Sequence, residues 1–217
     1  MGLWKNRNDK LWNDNAKQAP VIVACTMAWY EEFLQANRSM TPVTCKRTKA
    51  NASWSPHIVG MLCLNVDGAY VPSLQHGGIG GVLCNEKGEF IVGLAYRVPN
   101  VSSAYHTELL AIKSRLEIIQ ALGITNVALM SDCLEVVKAV TANDQDFSPL
   151  GTIVEEIKGL LGELHSIGVH QNYRTANHVA HRLASFGFDS DIHMEWFFQA
   201  PESVLDALQY DCNHINH

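Results

Sequence analysis

Asp67 stands inside an apolar run, LCLNVDGAY (62–70), that alternates as a β-strand does. Leu62, Leu64 and Val66 point one way, and Cys63, Asn65 and Asp67 point the other. A buried carboxylate needs a partner or it loses its charge. Two more acids fall at special places. Glu108 sits in the first turns of a helical stretch, AYHTELLAIKSRLEIIQALG, and Asp132 ends a strand, NVALMSD (126–132). If these two strands are neighbours, Asp67 and Asp132 lie side by side, and a helix crossing over them brings Glu108 between. Three acids held that close cannot all stay ionised without cations. Hard oxygen ligands suit Mg²⁺ or Mn²⁺. Two such ions roughly 3.5–4 Å apart are the usual device for in-line attack on a phosphodiester. Taken singly, each acid has a plainer reading: Asp132 caps the helix that follows it, and Glu108 favours a helix N-terminus. The three together, in this order of elements, favour the metal.

The elements that must position them follow in a clear order. The strand at 62–70 leads into a glycine cluster, GGIGG (77–81), and a second strand, IGGVLCN. The turn EKG (86–88) joins it to a third strand at 89–98, which makes a hairpin. Ser102 or Ser103 caps a helix that runs to Leu122, where Gly123 stops it. After the strand at 126–132 come a short helix, CLEVVKAV, and a longer one from Pro149 to about Leu164. A fifth strand at 168–174 follows, then a last helix capped by Asn177 and ended by Gly187. The sum is an α/β layer structure on a five-stranded mixed sheet, three antiparallel strands and then two more. The glycines at 77, 78, 80 and 81 would let a backbone approach closely, either a nucleic-acid strand or another protein strand.

The flanks differ from the middle. Residues 1–61 carry eight basic and four acidic groups, whereas residues 188–217 carry six acidic groups and no basic one. Three segments are expected. An N-terminal flank (1–60) has a helix at about 20–36 and a basic linker at 37–60. The α/β domain spans 61–188, and an acidic extension spans 189–217. The net charge of −6 excludes a global basic footprint for nucleic acid. The six cysteines form no CxxC pair and read as reduced, as in an intracellular, non-secreted protein. The most apolar stretch, PVIVACTMAWY, is too short to span a bilayer, and no membrane partner or small-molecule cofactor is expected.

The set LNVDGAY…GGIGGVLCNEKGEFIVGLA…AYHTELLAIKSRLEIIQALGI…SDCLEVVKAV…YRTANHVAHRLASFG resembles the ribonuclease H type 1 domain. It is most similar to the plant branch associated with non-LTR retrotransposon reverse transcriptases. The resemblance covers about residues 54–211 and implies a ribonuclease H-like fold with helices on both faces of the sheet. It implies a metal-dependent endonuclease that hydrolyses the RNA strand of RNA–DNA hybrids with two Mg²⁺ or Mn²⁺ ions. The family's metal-binding carboxylates map onto Asp67, Glu108 and Asp132. Its fourth acidic position, in the pattern Asn-x-x-Ala-Asp-x-Leu-Ala, is taken here by His181 of NHVAHRLA, a departure from that pattern. A neutral imidazole can bind metal or carry a proton, whereas a cationic one competes with the metal. Asn65, Gly68, Gly78 and Asn177 are the expected substrate contacts, with Asn65 placed to meet a sugar 2′-hydroxyl or a phosphate near the metals. Other domains of a retroelement-type polyprotein are implied as partners. A second reading is a retrotransposon-derived module that keeps the fold and binds nucleic acid or protein without catalysis.

Overall fold

The structure, a computed structural model, describes residues 61–213 apart from 125, 165–166 and 192. The helix expected at about 20–36 and the linker at 37–60 lie outside the described residues. Six strands form one sheet: β1 (Leu62–Tyr70), β2 (His76–Cys84), β3 (Phe90–Pro99), β4 (Val127–Ser131), β5 (Gly168–Gln171) and β6 (Met194–Phe197). Their order is β5-β4-β1-β2-β3-β6. The pairs β1–β2, β2–β3 and β3–β6 are antiparallel; β1–β4 and β4–β5 are parallel.

Parallel neighbours need crossovers. Helix α1 (Ala104–Leu122) supplies the one between β3 and β4, and α2 (Leu134–Thr141) with α3 (Gly151–Glu163) the one between β4 and β5. Helix α4 (His178–Asp189) follows β5, and α5 (Leu205–Asn213) closes the described chain. The caps of α1 are those expected. The Ser103 hydroxyl accepts the His106 N–H at 3.0 Å, and Gly123 ends the helix at φ +62°.

The glycine cluster is part of β2, and its alternation sorts the helices to the two faces. A Cβ on Gly78 or Gly80 would run into the backbone of α4, at Ala184 and Phe188 or at Ala180 and Ala184. A Cβ on Gly77 or Gly81 would strike α1, at Thr107 or within 2.6 Å of Arg115 Nε. The close approach that these glycines allow is therefore to helices on opposite faces.

Under α4 lies a core of Val82, Cys84, Ala95, Val179, Ala180 and Leu183, with Phe186 and Trp196 packed against it. On the other face α1 packs on β1 and β2 and buries Leu109, Ile112 and Leu116 completely. Each such side chain is worth about 1.5–3 kcal/mol on burial.

Three features depart from the sequence expectation. First, the sheet has a sixth strand. MEWF pairs with Val92–Ala95 and covers the edge of β3, which would otherwise expose unpaired backbone groups. Second, α4 does not stop at Gly187. That glycine lies inside the helix, where a Cβ would sit 2.7 Å from the Tyr96 nitrogen. Third, β5 ends at Gln171, and Arg174–Ala176 is a short 3₁₀ turn.

Candidate active site

β1 carries Asp67 on the α4 face, opposite Gly80 of β2. The parallel register Val66↔Ser131 brings the residue after each, Asp67 and Asp132, to the same end of the sheet. Glu108 enters from α1. Gly68 makes room for it, because a Cβ there would lie 2.8 Å from the Glu108 nitrogen. Ligand oxygens of Asp67, Glu108 and Asp132 all lie within 4.8 Å of one another.

The electrostatics of this cluster are those of crowded acids. Burial, then Asp67, then Asp132 hold the Glu108 carboxyl well above the ordinary carboxylate range, against the Gly68 N–H, which lowers it. Burial and Asp67 also raise Asp132, with the Arg174 charge opposing. Glu108 Oε2 is buried without a hydrogen-bond partner. A buried acceptor left unpaired is costly, and a divalent cation would supply what it lacks. The donor set, three carboxylates and no thiol, fits Mg²⁺ or Mn²⁺.

His181 joins the cluster from α4, its Nδ1 2.9 Å from Asp67 Oδ2. That hydrogen bond raises the imidazole pKa, against the effect of partial burial. The ring is half-exposed. His178, three residues before it on α4, is turned to Asp211, 2.9 Å away.

The residues expected to meet substrate divide. Gly68 is partly exposed beside the carboxylates. Asn65 is 4% exposed and sits beneath Asp67, its Oδ1 accepting from Asn172 Nδ2 at 3.4 Å. Gly78 is covered by α4. Asn177 holds the cap position of α4 but donates its side-chain amide to the Val66 carbonyl at 2.9 Å, one residue before Asp67.

Three groups that bear on these residues were not singled out in the sequence. Asn172 ties the loop after β5 together. Its N–H reaches the Ser131 carbonyl at 2.8 Å, and its side chain reaches the Ala176 carbonyl at 2.8 Å. Arg174 is exposed, and its charge bears on both Asp132 and His181. A lone basic residue seven positions before His181 was the available signal for it. Asp211 accepts the Val179 N–H from 32 residues away, which no local pattern announces.

A family model described as "Reverse transcriptase-like" matches residues 65–187, more than half the chain and all of the carboxylate cluster. The "Putative ribonuclease H protein" of Arabidopsis thaliana is 24% identical over 210 residues, covering 96% of this chain and 34% of that protein. The chain thus spans about a third of that relative. Among solved structures, ribonuclease H1 from the archaeon Halobacterium salinarum superposes with TM-score 0.55 at 21% identity, covering 60% of this chain and 98% of the other. LC11-RNase H1, solved in complex with an RNA/DNA hybrid, gives TM-score 0.54 at 19% identity, covering 59% and 96%. These likenesses establish the fold. No helix among the described residues is long and apolar enough to cross a membrane. With its acidic cluster on a ribonuclease H-like sheet, the chain belongs to the reverse transcriptase-like family of ribonuclease H-fold domains.

Proposed function

We propose that this protein is a divalent-metal-dependent endonuclease that hydrolyses the RNA strand of RNA–DNA hybrids, leaving a 5′-phosphate and a 3′-hydroxyl. The observation that carries the reading is the meeting of Asp67, Glu108 and Asp132 within 4.8 Å, with Glu108 Oε2 buried and unpaired. These three residues would hold two Mg²⁺ or Mn²⁺ ions, with Asp67 shared between them. Such ions supply a water nucleophile at neutral pH and neutralise charge on the phosphoryl oxygens.

The protein's own groups do the rest. Gly68 keeps α1 close enough for Glu108 to reach the strand acids. Asn172 and Asn177 brace the loop and helix around them. The half-exposed His181 ring donates to Asp67 and can exchange a proton with water at its other nitrogen. Arg174 offers an exposed guanidinium beside Asp132, suited to a phosphate. The hybrid held by LC11-RNase H1 supports that substrate class.

One observation favours the second reading, a binding module that has lost catalysis. His181 occupies an oxygen of Asp67 that a metal would use, and a protonated ring competes with a cation there. Cleavage of a labelled RNA–DNA hybrid with Mg²⁺ or Mn²⁺ decides between them, comparing wild type with Asp132→Asn. Metal-dependent cutting that the variant abolishes establishes the nuclease. A well-folded wild type that cuts nothing with either metal leaves the binding module.

A further inference from the structure

A helix leaves its first backbone N–H groups without partners, and the cap side chain normally takes one of them. Asn177 holds the cap position of α4 and spends its amide on Val66 instead. The acceptor comes from α5. Asp211 Oδ2 accepts the Val179 N–H at 3.1 Å, and Oδ1 meets His178 Nδ1 at 2.9 Å. Asp211 is 5% exposed. Burial raises its carboxyl pKa, while the His178 ring and the Val179 N–H lower it. Tyr210 lies edge-on to the His178 ring, centroids 4.8 Å apart. Asp211 and Asn65 also line one small cavity of about 10 Å³.

A second contact reinforces the first. One turn along α4, Arg182 forks onto the Asp206 carboxylate and reaches the Ser203 carbonyl at 3.2 Å. Val204, Ala207 and Leu208 join the core under Val179, Ala180 and Leu183. All of these partners lie beyond residue 187, where the family match ends.

Resting on the nuclease reading above, we propose that Asp211 is a positioning residue. It fixes the first turn of α4 and, through it, sets His181 against Asp67. The leverage is geometric. Val179, whose N–H Asp211 holds, lies two residues before His181. A slip of one residue along a helix moves a side chain about 1.5 Å and turns it roughly 100°. A 2.9 Å hydrogen bond to Asp67 does not survive such a slip.

The test compares the wild type, Asp211→Asn and Asp211→Ala in the full chain. The readouts are thermal melting, the nitrogen-15 spectrum of the histidine rings (with the His181 signal assigned by His181→Gln), and kcat and KM on an RNA–DNA hybrid with Mn²⁺. Asp211→Asn keeps an oxygen for the Val179 N–H and holds the His181 signal at its wild-type position. Asp211→Ala shifts that signal and lowers kcat roughly ten-fold or more with KM unchanged, the size expected when support behind a site residue is removed. Should Asp211→Ala fail to fold, His178→Ala takes its place and shifts the signal the same way by less. A folded variant with the wild-type ring signal and wild-type kcat overturns the proposal, because a merely stabilising aspartate would change the melting temperature alone. A wild type that cuts no hybrid sinks the nuclease reading instead, and the ring spectrum still decides the positioning.

Discussion

His181 on α4 and Asp67 on β1 are joined by a 2.9 Å hydrogen bond across 114 residues of chain. In the ribonuclease H pattern that this chain resembles, an aspartate stands where His181 stands. Here a strand carboxylate meets a hydrogen-bond donor instead of a fourth acid. The metal-free cluster is therefore less crowded with negative charge than a four-acid site.

That relationship makes His181→Asp informative. The metal-free variant should melt below the wild type, because a like charge now faces Asp67. Mg²⁺ should then raise its melting temperature by more than it raises that of the wild type. Thermal melts with and without Mg²⁺ read this directly. Equal metal-induced shifts would show that position 181 lies outside the metal's reach.

The carboxyls also set a pH dependence. Burial and neighbouring acids raise Glu108 and Asp132 above the ordinary carboxylate range. A group raised in the folded state stabilises it fully below its unfolded-state pKa, and that contribution is lost as pH climbs through the folded value. The window for both groups therefore opens in the ordinary carboxylate range and extends upward. The metal-free protein loses stability across it, and divalent cations, which bind the ionised form, restore it. The gain in melting temperature on adding Mg²⁺ should grow as pH rises above the ordinary carboxylate range. Glu108→Gln should flatten the metal-free dependence and shrink the gain. A metal effect that ignores pH would falsify the assignment of these acids as its ligands.

Gly78 tests how closely α4 must lie on the sheet. Its missing Cβ is replaced in space by the backbone of Ala184 and Phe188. Gly78→Ala should cost at least about 1–3 kcal/mol, the range for overpacking. Backbone cannot rotate aside as a side chain can. Urea unfolding measures the loss; a variant within error of the wild type would mean that α4 rides free of β2.

Among the described residues, Arg115 is a buried cation that the proposed chemistry does not use. It is 1% exposed, its guanidinium nitrogens lack hydrogen-bond partners, and its charge centre lies 4.9 Å from the Tyr96 ring centroid. Burial brings its pKa down to about 10. Replacing a desolvated charge by an apolar chain of similar length is often neutral or stabilising. Arg115→Met should stay within about 1 kcal/mol of wild type or exceed it. Arg115→Ala should cost about 2–4 kcal/mol through the cavity it leaves. Chemical denaturation of both variants separates packing from charge. A loss for Met as large as that for Ala would show that the charge itself is needed.

Much of the site was legible because its signals are local. The alternation of LCLNVDGAY placed Asp67 on a buried face, and β1 covers the expected span. Ser103 and Gly123 bounded α1 through cap chemistry confined to a turn at each end. The three acids stood out because strand and helix patterns each showed where a carboxylate was out of place.

What the tertiary structure alone decided are the contacts that no short window contains. The strand MEWF becomes β6 only because β3 presents an open edge. Gly77, Gly78, Gly80 and Gly81 read in sequence as room for a nucleic-acid or protein strand, yet each is demanded by a helix lying on one face or the other. Asn177 reads as a cap, but Val66 claims its amide, and the cap comes from Asp211 instead. The sequence by itself determined the element types and the candidate acids, since backbone propensity and side-chain periodicity act over a few residues. Which groups meet across the sheet was settled by packing, because hydrogen bonds and close contacts depend on distances that only the assembled layers create.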